Sequence, residues 1–182
     1  MTIRNYLILS IGIASLVVIN TSCKKIKKLT TFTIVDSTEF IVPASTGVNI
    51  PLVLNTQEVT TSSSQSFSNN NTNANLIKDI KLTALNLTII DPSGETFHFL
   101  NSIKIYIYGN GQPQILLASK ENIATDSTNS VELEPSKAYL DTYIKSSAYS
   151  LRYEIITADS LMAGFDITIR NKMTFSVTAS PL

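Results

Sequence analysis

Residues 103–108 carry the sequence pattern that most constrains the fold of this chain. An isoleucine stands at every second position of this segment: Ile103, Ile105 and Ile107. The positions between them hold a lysine and two tyrosines, Tyr106 and Tyr108. Because successive side chains of a strand point to opposite faces, this alternation predicts a strand with one face in the core and the other toward solvent. Similar alternation recurs in four further segments, residues 29–43, 79–90, 149–158 and 165–177.

The composition supports a fold built from strands. Isoleucine, threonine and serine are the commonest residue types, and β-branched side chains fit a pleated sheet better than a helix. We therefore predict an all-β fold, an antiparallel β-sandwich of about 8–10 strands that is Ig-like or jelly-roll-like, because short strands separated by turn signals are typical of that architecture. A barrel is the alternative.

One short helix is expected, near residues 136–146. Leu140, Tyr143 and Ile144 are spaced to form a single apolar stripe. Ser136 stands where it would cap the first turn. We expect this helix to cross one end of the sandwich.

Other segments interrupt the strand pattern. Residues 59–67 alternate but are rich in serine and threonine, which favours an edge strand, and the asparagine-rich residues 68–75 are typical of a loop. Residues 36–38 predict a bend, and residues 170–172 predict a turn or a bulge. The apolar phase shifts at Ala84, which predicts a β-bulge.

The N-terminal segment predicts export. Arg4 is the only charged residue before Lys24, and residues 7–19 form an uncharged, mostly apolar run of 13 residues. This length suits the hydrophobic region of a signal peptide and is short for a membrane-spanning helix, which needs about 20 residues. The apolar run therefore indicates a signal peptide.

Thr21, Ser22 and Cys23, which follow the apolar run, resemble the lipobox of bacterial lipoproteins. Asn20 stands where that family usually carries leucine or a similar apolar residue. The resemblance implies that the signal is removed before Cys23 and that the thiol and the new N-terminus are acylated. Cys23 is also the only cysteine of the chain, and a lipidated thiol cannot form wrong disulfides in an oxidising compartment.

The chain is predicted to have three parts: a signal peptide at residues 1–22, a lipid anchor with a basic tether at 23–28, and a single β-sandwich domain at 29–182. The tether carries four lysines, whereas the domain carries 9 Lys+Arg and 14 Asp+Glu, a net charge of −5. An acidic domain argues against nucleic acid, which requires a basic patch. The N-terminus predicts a membrane as partner, reached through the lipid.

The residue after the cysteine bears on location. In the best-known lipoprotein systems an aspartate at this position retains the protein at the inner membrane. Lys24 stands here instead, so the resemblance implies the outer membrane. Some surface-exported relatives carry acidic residues after the cysteine, and the basic tether therefore favours the periplasmic side over the cell surface.

No residue pattern in the chain predicts catalysis. His98 is the only histidine and Cys23 the only cysteine, so a nucleophile–histidine pair or a zinc site would have to use His98. Asp91, Glu95 and Asp126 offer oxygen ligands for calcium, but their spacing does not match a dense acidic loop. We therefore predict no catalytic residue, no metal site and no cofactor.

Tyr106 and Tyr108 are the candidate residues of a partner-binding face. Tyrosine combines an apolar ring with a polar tip, which suits contact with a protein or a glycan partner. The leading hypothesis is a binding or structural accessory protein of the cell envelope. One alternative is a carbohydrate- or peptide-active hydrolase of the envelope. Another is a surface adhesin or a component of a surface complex, which would present both tyrosines on a flat exposed face.

Overall fold

Nine antiparallel strands form most of the computed structural model, which describes residues 29–44, 46–47, 49–109, 111–123, 128–158 and 165–180. The strands are β1 (Thr30–Val42), β2 (Pro51–Asn55), β3 (Val59–Thr60), β4 (Ile77–Asp91), β5 (Leu100–Gly109), β6 (Gln112–Lys120), β7 (Ser130–Pro135), β8 (Ala148–Thr157) and β9 (Ile167–Ala179). Two short helices accompany them, α1 (Ser63–Asn69) and α2 (Asp141–Ile144). Cys23, the predicted signal peptide and the predicted tether lie outside the described residues.

All nine strands belong to one curled sheet. Its order is β1-β9-β4-β7-β6-β5-β8-β2, and β3 extends the pairing along β8 beyond β2. Strands β6 and β7 are joined by only two residue pairs, Ala118 with Pro135 and Ser119 with Glu134. The predicted all-β class is confirmed. The arrangement as a sandwich of two separate sheets stays a prediction, since the hydrogen-bonded order runs through a single sheet.

The core lies on the inner side of this curled sheet. The isoleucines of β5 that were predicted to face inward are fully buried, with 0% of their surface exposed: Ile103, Ile105 and Ile107. Phe40 of β1, the first strand of the sheet order, stacks on Tyr153 of β8 with 4.0 Å between ring centroids. Each large apolar side chain buried in this way stabilises the fold by about 1.5–3 kcal/mol.

Strands β1 and β9 are longer than the sequence predicts. The bend expected at residues 36–38 is absent, because β1 continues through it and places Asp36 inward. The turn or bulge expected at residues 170–172 is also wrong, since β9 pairs with β1 without interruption and buries Asn171. The bulge predicted at Ala84 is confirmed by a register shift in the β4–β9 pairing.

The edge strand predicted for residues 59–67 is wrong over most of its length. Only Val59–Thr60 pair as a strand, and a helix follows from Ser63. Ser63 and Phe67 are both buried, and their spacing of four residues places them on one side of a helix. Gln65, which strand alternation would turn inward, is exposed and donates to Asn69 Oδ1 at 2.8 Å.

The second helix is shorter than expected. Helix α2 spans Asp141–Ile144, and Ser136 lies too far upstream to cap it. The predicted apolar stripe is confirmed, because Leu140, Tyr143 and Ile144 are all buried. Neither helix of the described residues has the length or apolar character needed to cross a membrane.

Candidate functional site

Strand β5 carries both candidate binding residues on the face turned away from the core. Tyr106 and Tyr108 are half-buried, and they alternate with the buried isoleucines of the same strand. The register between β5 and β8 places Tyr106 opposite Arg152 and Tyr108 opposite Ser150. Tyr106 is therefore surrounded by side chains from neighbouring strands. Cys23, the predicted lipid attachment site, lies outside the described residues.

Tyr106 is held by two charged residues of β8. Its hydroxyl donates to Glu154 Oε2 at 3.1 Å. The guanidinium carbon of Arg152 lies 5.8 Å from the centre of the Tyr106 ring, a distance that allows a cation–π interaction. Arg152 Nη2 also pairs with Glu154 Oε1 at 2.8 Å, so the three side chains form a closed cluster.

Strands β6 and β2 extend this cluster on both sides. Arg152 Nη1 donates to Gln114 Oε1 of β6 at 3.4 Å. Leu116 of β6 pairs with Tyr106, and Val53 of β2 pairs with Glu154; both apolar side chains are exposed. We call this surface the Tyr106 face, and its members are Val53, Tyr106, Gln114, Leu116, Arg152 and Glu154.

The environment of Tyr106 keeps its phenol neutral. Partial burial raises the pKa of Tyr106, and the hydrogen bond and negative charge of Glu154 raise it further, while the positive charge of Arg152 lowers it. The phenol is therefore a hydrogen-bond donor at neutral pH, and its proton is directed at Glu154. The face offers an aromatic ring, a planar cation, an amide and two apolar side chains, a mixture that is common where proteins bind proteins or glycans.

Sequence reasoning found Tyr106 but missed its partners. Arg152 and Glu154 flank the inward-facing Tyr153, so alternation alone would have placed both on the outer face of β8. Their contact with Tyr106 depends on the pairing of β8 with β5, which no local pattern shows. Tyr108 lies further along the same face.

The other candidate residues do not converge in the described part of the chain. His98 is exposed in a 3-10 turn at Phe97–Phe99, where its Nδ1 lies 3.0 Å from Thr96 Oγ1. Among the described residues, no three His, Cys, Asp or Glu side chains are close enough together to hold a metal ion. Asp126, considered above as a calcium ligand, lies outside the described residues.

Comparison with known proteins assigns no family to this chain. No protein-family model matches its sequence, and no curated protein matches it significantly. The function therefore has to be argued from the Tyr106 face and from the N-terminal sequence.

Proposed function

We propose that this chain is an exported, lipid-anchored binding protein of the cell envelope, which contacts a protein or glycan partner through the Tyr106 face. The proposal places Cys23 as the lipid attachment site and the outer membrane, on its periplasmic side, as the location. It also treats the domain as a two-layered sandwich, which the contact of Phe40 with Tyr153 across the core supports.

The observation that carries the binding role is the closed cluster of Tyr106, Arg152 and Glu154. Arg152 and Glu154 keep 29% and 31% of their side-chain surface exposed. An ion pair in such a position stabilises a fold by only about 0–1 kcal/mol, so stability does not account for the arrangement. Because the cluster holds its long side chains in one conformation, less side-chain entropy is lost when a partner binds. This is the property expected of a binding surface.

Site-specific photo-crosslinking in cells tests the binding role. A photoreactive phenylalanine analogue at position 116 would lie on the Tyr106 face, and the same analogue at Lys172, which is exposed on β9, serves as the matched control. We expect a discrete crosslinked species from position 116 only. Adding Arg152→Ala should abolish it. Identical crosslinking from both positions, or crosslinking that persists in Arg152→Ala, would contradict the proposal.

Metabolic labelling with an alkyne fatty acid tests the anchor. The wild-type chain should incorporate the label and sediment with membranes, whereas Cys23→Ala should do neither, because the chain has no other thiol. A single acyl chain binds membranes only marginally, so firm attachment requires the several chains that the lipoprotein resemblance implies. Equal labelling of Cys23→Ala and wild type would refute the anchor and leave the Tyr106 face to be judged by crosslinking.

A further inference from the structure

The curled sheet leaves two strand edges facing each other. Strands β1 and β2 are the two ends of the sheet order, and each is paired along one edge only, β1 with β9 and β2 with β8. No ladder joins β1 to β2 in the described residues. Between them lies a groove of about 490 Å³. Residues 38–41 of β1 form one wall, and residues 54–58, the end of β2 and the segment after it, form the other.

Hydrogen bonds tie the two walls of the groove together at one end. Ser62, four residues after Glu58, lies against β1, where its backbone N–H and its hydroxyl donate to Asp36 Oδ1 at 3.3 and 3.2 Å. The hydroxyl of Tyr149 donates to Asp36 Oδ2 at 3.1 Å and fixes the same carboxylate to β8. The separation of the walls is therefore held by the fold.

The walls of the groove offer backbone N–H and C=O groups with which an added strand can form hydrogen bonds. The outer edge of an unpaired strand carries free N–H and C=O groups, and proteins commonly protect such edges with lysine, proline or a bulge. Strand β1 contains no lysine or proline along its 13 positions and pairs with β9 without a bulge. Its inward charge, Asp36, and the proline of β2, Pro51, both lie outside the groove lining. Ile41 of the β1 wall leaves 52% of its surface exposed, and Leu54 of β2 lines the opposite wall. The groove therefore has both the hydrogen-bonding groups and the apolar margin that strand addition requires.

The charge of the groove selects the occupant. Glu39 lies on the β1 wall and Glu58 on the opposite wall, and no lysine, arginine or histidine lines the groove. Arg170, which lies outside the groove, pairs with Glu39 through Nη2 and Oε1 at 2.9 Å. Because Arg170 already offsets the charge of Glu39, Glu58 attracts a bound cation more strongly than Glu39 does. The domain as a whole is also acidic.

We propose that this groove binds an extended, lysine- or arginine-bearing peptide segment of a partner protein, which adds as a strand between β1 and β2. Four residues on the β1 wall, 38–41, span about 13 Å at 3.3 Å per residue, so the bound segment is about four residues long. Because neighbouring strands of the sheet order are all antiparallel, β1 and β2 run in opposite directions. The bound segment is therefore parallel to one wall and antiparallel to the other.

Fluorescence anisotropy with the full-length, detergent-solubilised protein tests this proposal. The probe is a labelled hexapeptide of alternating valine and lysine. The comparison peptides are the same sequence with alternate backbone nitrogens methylated and a version with glutamate in place of lysine. Glu58→Gln removes the groove charge. Glu132→Gln, an exposed carboxylate on β7, is the matched control, and Tyr106→Ala distinguishes the groove from the Tyr106 face.

We expect saturable binding of the lysine peptide, and a loss of about tenfold or more on methylation, because methylation removes the backbone N–H donors that strand addition uses. Glu58→Gln should weaken binding about fivefold, whereas Glu132→Gln should leave it unchanged. A loss of affinity in Tyr106→Ala comparable to that in Glu58→Gln would place the peptide on the Tyr106 face and overturn the groove proposal. Absence of saturable binding, equal affinity for the methylated or the glutamate peptide, or equal effects of Glu58→Gln and Glu132→Gln would overturn the proposal. So would displacement of the bound lysine peptide by a saccharide.

Discussion

Asp36 shows at the scale of a single residue how a carboxylate comes to lie in the core. Only 5% of its surface is exposed, and a buried charge is costly unless hydrogen bonds replace its water. Ser62 and Tyr149 supply those bonds. Both donors are distant in sequence, so the local pattern around Asp36 predicted a bend instead of a buried strand position. Asn171 was likewise predicted to lie in a turn or bulge, but it is buried in β9, and its amide nitrogen donates to the Tyr153 hydroxyl at 3.0 Å.

The buried tyrosines of β8 predict a loss of stability at alkaline pH. Burial raises the pKa of Tyr149, and Asp36 raises it further through its charge and hydrogen bond. Burial also raises the pKa of Tyr153, against a lowering effect of Asn171. Both phenols are neutral in the folded and unfolded states below pH about 10, so their contribution is fully present there. Above that pH the unfolded state ionises first, and stability falls by about 1.4 kcal/mol per pH unit for each tyrosine.

Urea unfolding between pH 8 and 11 measures this effect. Above pH about 10, the unfolding free energy of Tyr153→Phe should fall less steeply with pH than that of the wild type, by about 1.4 kcal/mol per pH unit. Tyr139→Phe, at a tyrosine that is 64% exposed, is the matched control and should keep the wild-type slope. If Tyr153→Phe and Tyr139→Phe gave the same slope, the buried phenol of Tyr153 would not be the source of the effect.

At the scale of elements, strand β5 was predictable and helix α1 was not. The alternation of residues 103–108 is a local property, and the strand that it predicts has the expected residues in the core. Helix α1 depends on partners elsewhere in the chain. Its Phe67 contacts Phe32 of β1 edge-on, with 6.2 Å between ring centroids. Serine is a weak helix former that prefers caps and turns, so tertiary contacts overrode the local preference of this segment.

Phe67→Ala tests whether this contact holds α1 in place. Phe67 is buried, and truncating a buried phenylalanine costs about 3–5 kcal/mol of unfolding free energy. Gln65→Ala, on the exposed side of the same helix, is expected to change stability by less than about 0.5 kcal/mol. Urea unfolding followed by circular dichroism gives both values. A loss of similar size in both variants would show that the buried contact of Phe67 with Phe32 is not what holds α1, since alanine has a higher helix propensity than either residue.

At the scale of the whole molecule, the sheet is continuous but unevenly joined. The β6–β7 junction consists of two residue pairs, whereas β1 pairs with β9 along its whole length. The sequence predicted most of the strands but gave no indication of this order, because strand order depends on contacts between distant segments. The Tyr106 face was predictable only in part. Alternation within β5 placed Tyr106 on the outer face, but the β5–β8 register, which depends on distant segments, brings Arg152 and Glu154 to it.

Hydrogen exchange should expose this uneven joining. Local opening requires less free energy where few backbone hydrogen bonds and few contacts hold two strands together. We expect the amides of residues 118–119 and 134 to exchange faster than those of residues 169–177 in the centre of β9. NMR or mass-spectrometric exchange at neutral pH measures both sets. Equal protection of the two sets would mean that the junction opens only with the whole fold.

The length of β1 sets the distance between the start of the domain and the groove. Thr30 pairs with Ala179 at one end of the sheet, and Val42 pairs with Ile167 at the other. The 13 residues of β1 cover about 40 Å at 3.3 Å per residue. The groove beside residues 38–41 therefore lies roughly 30 Å along β1 from the start of the domain. A partner that binds the groove contacts the half of β1 that lies away from the point where the chain enters the domain.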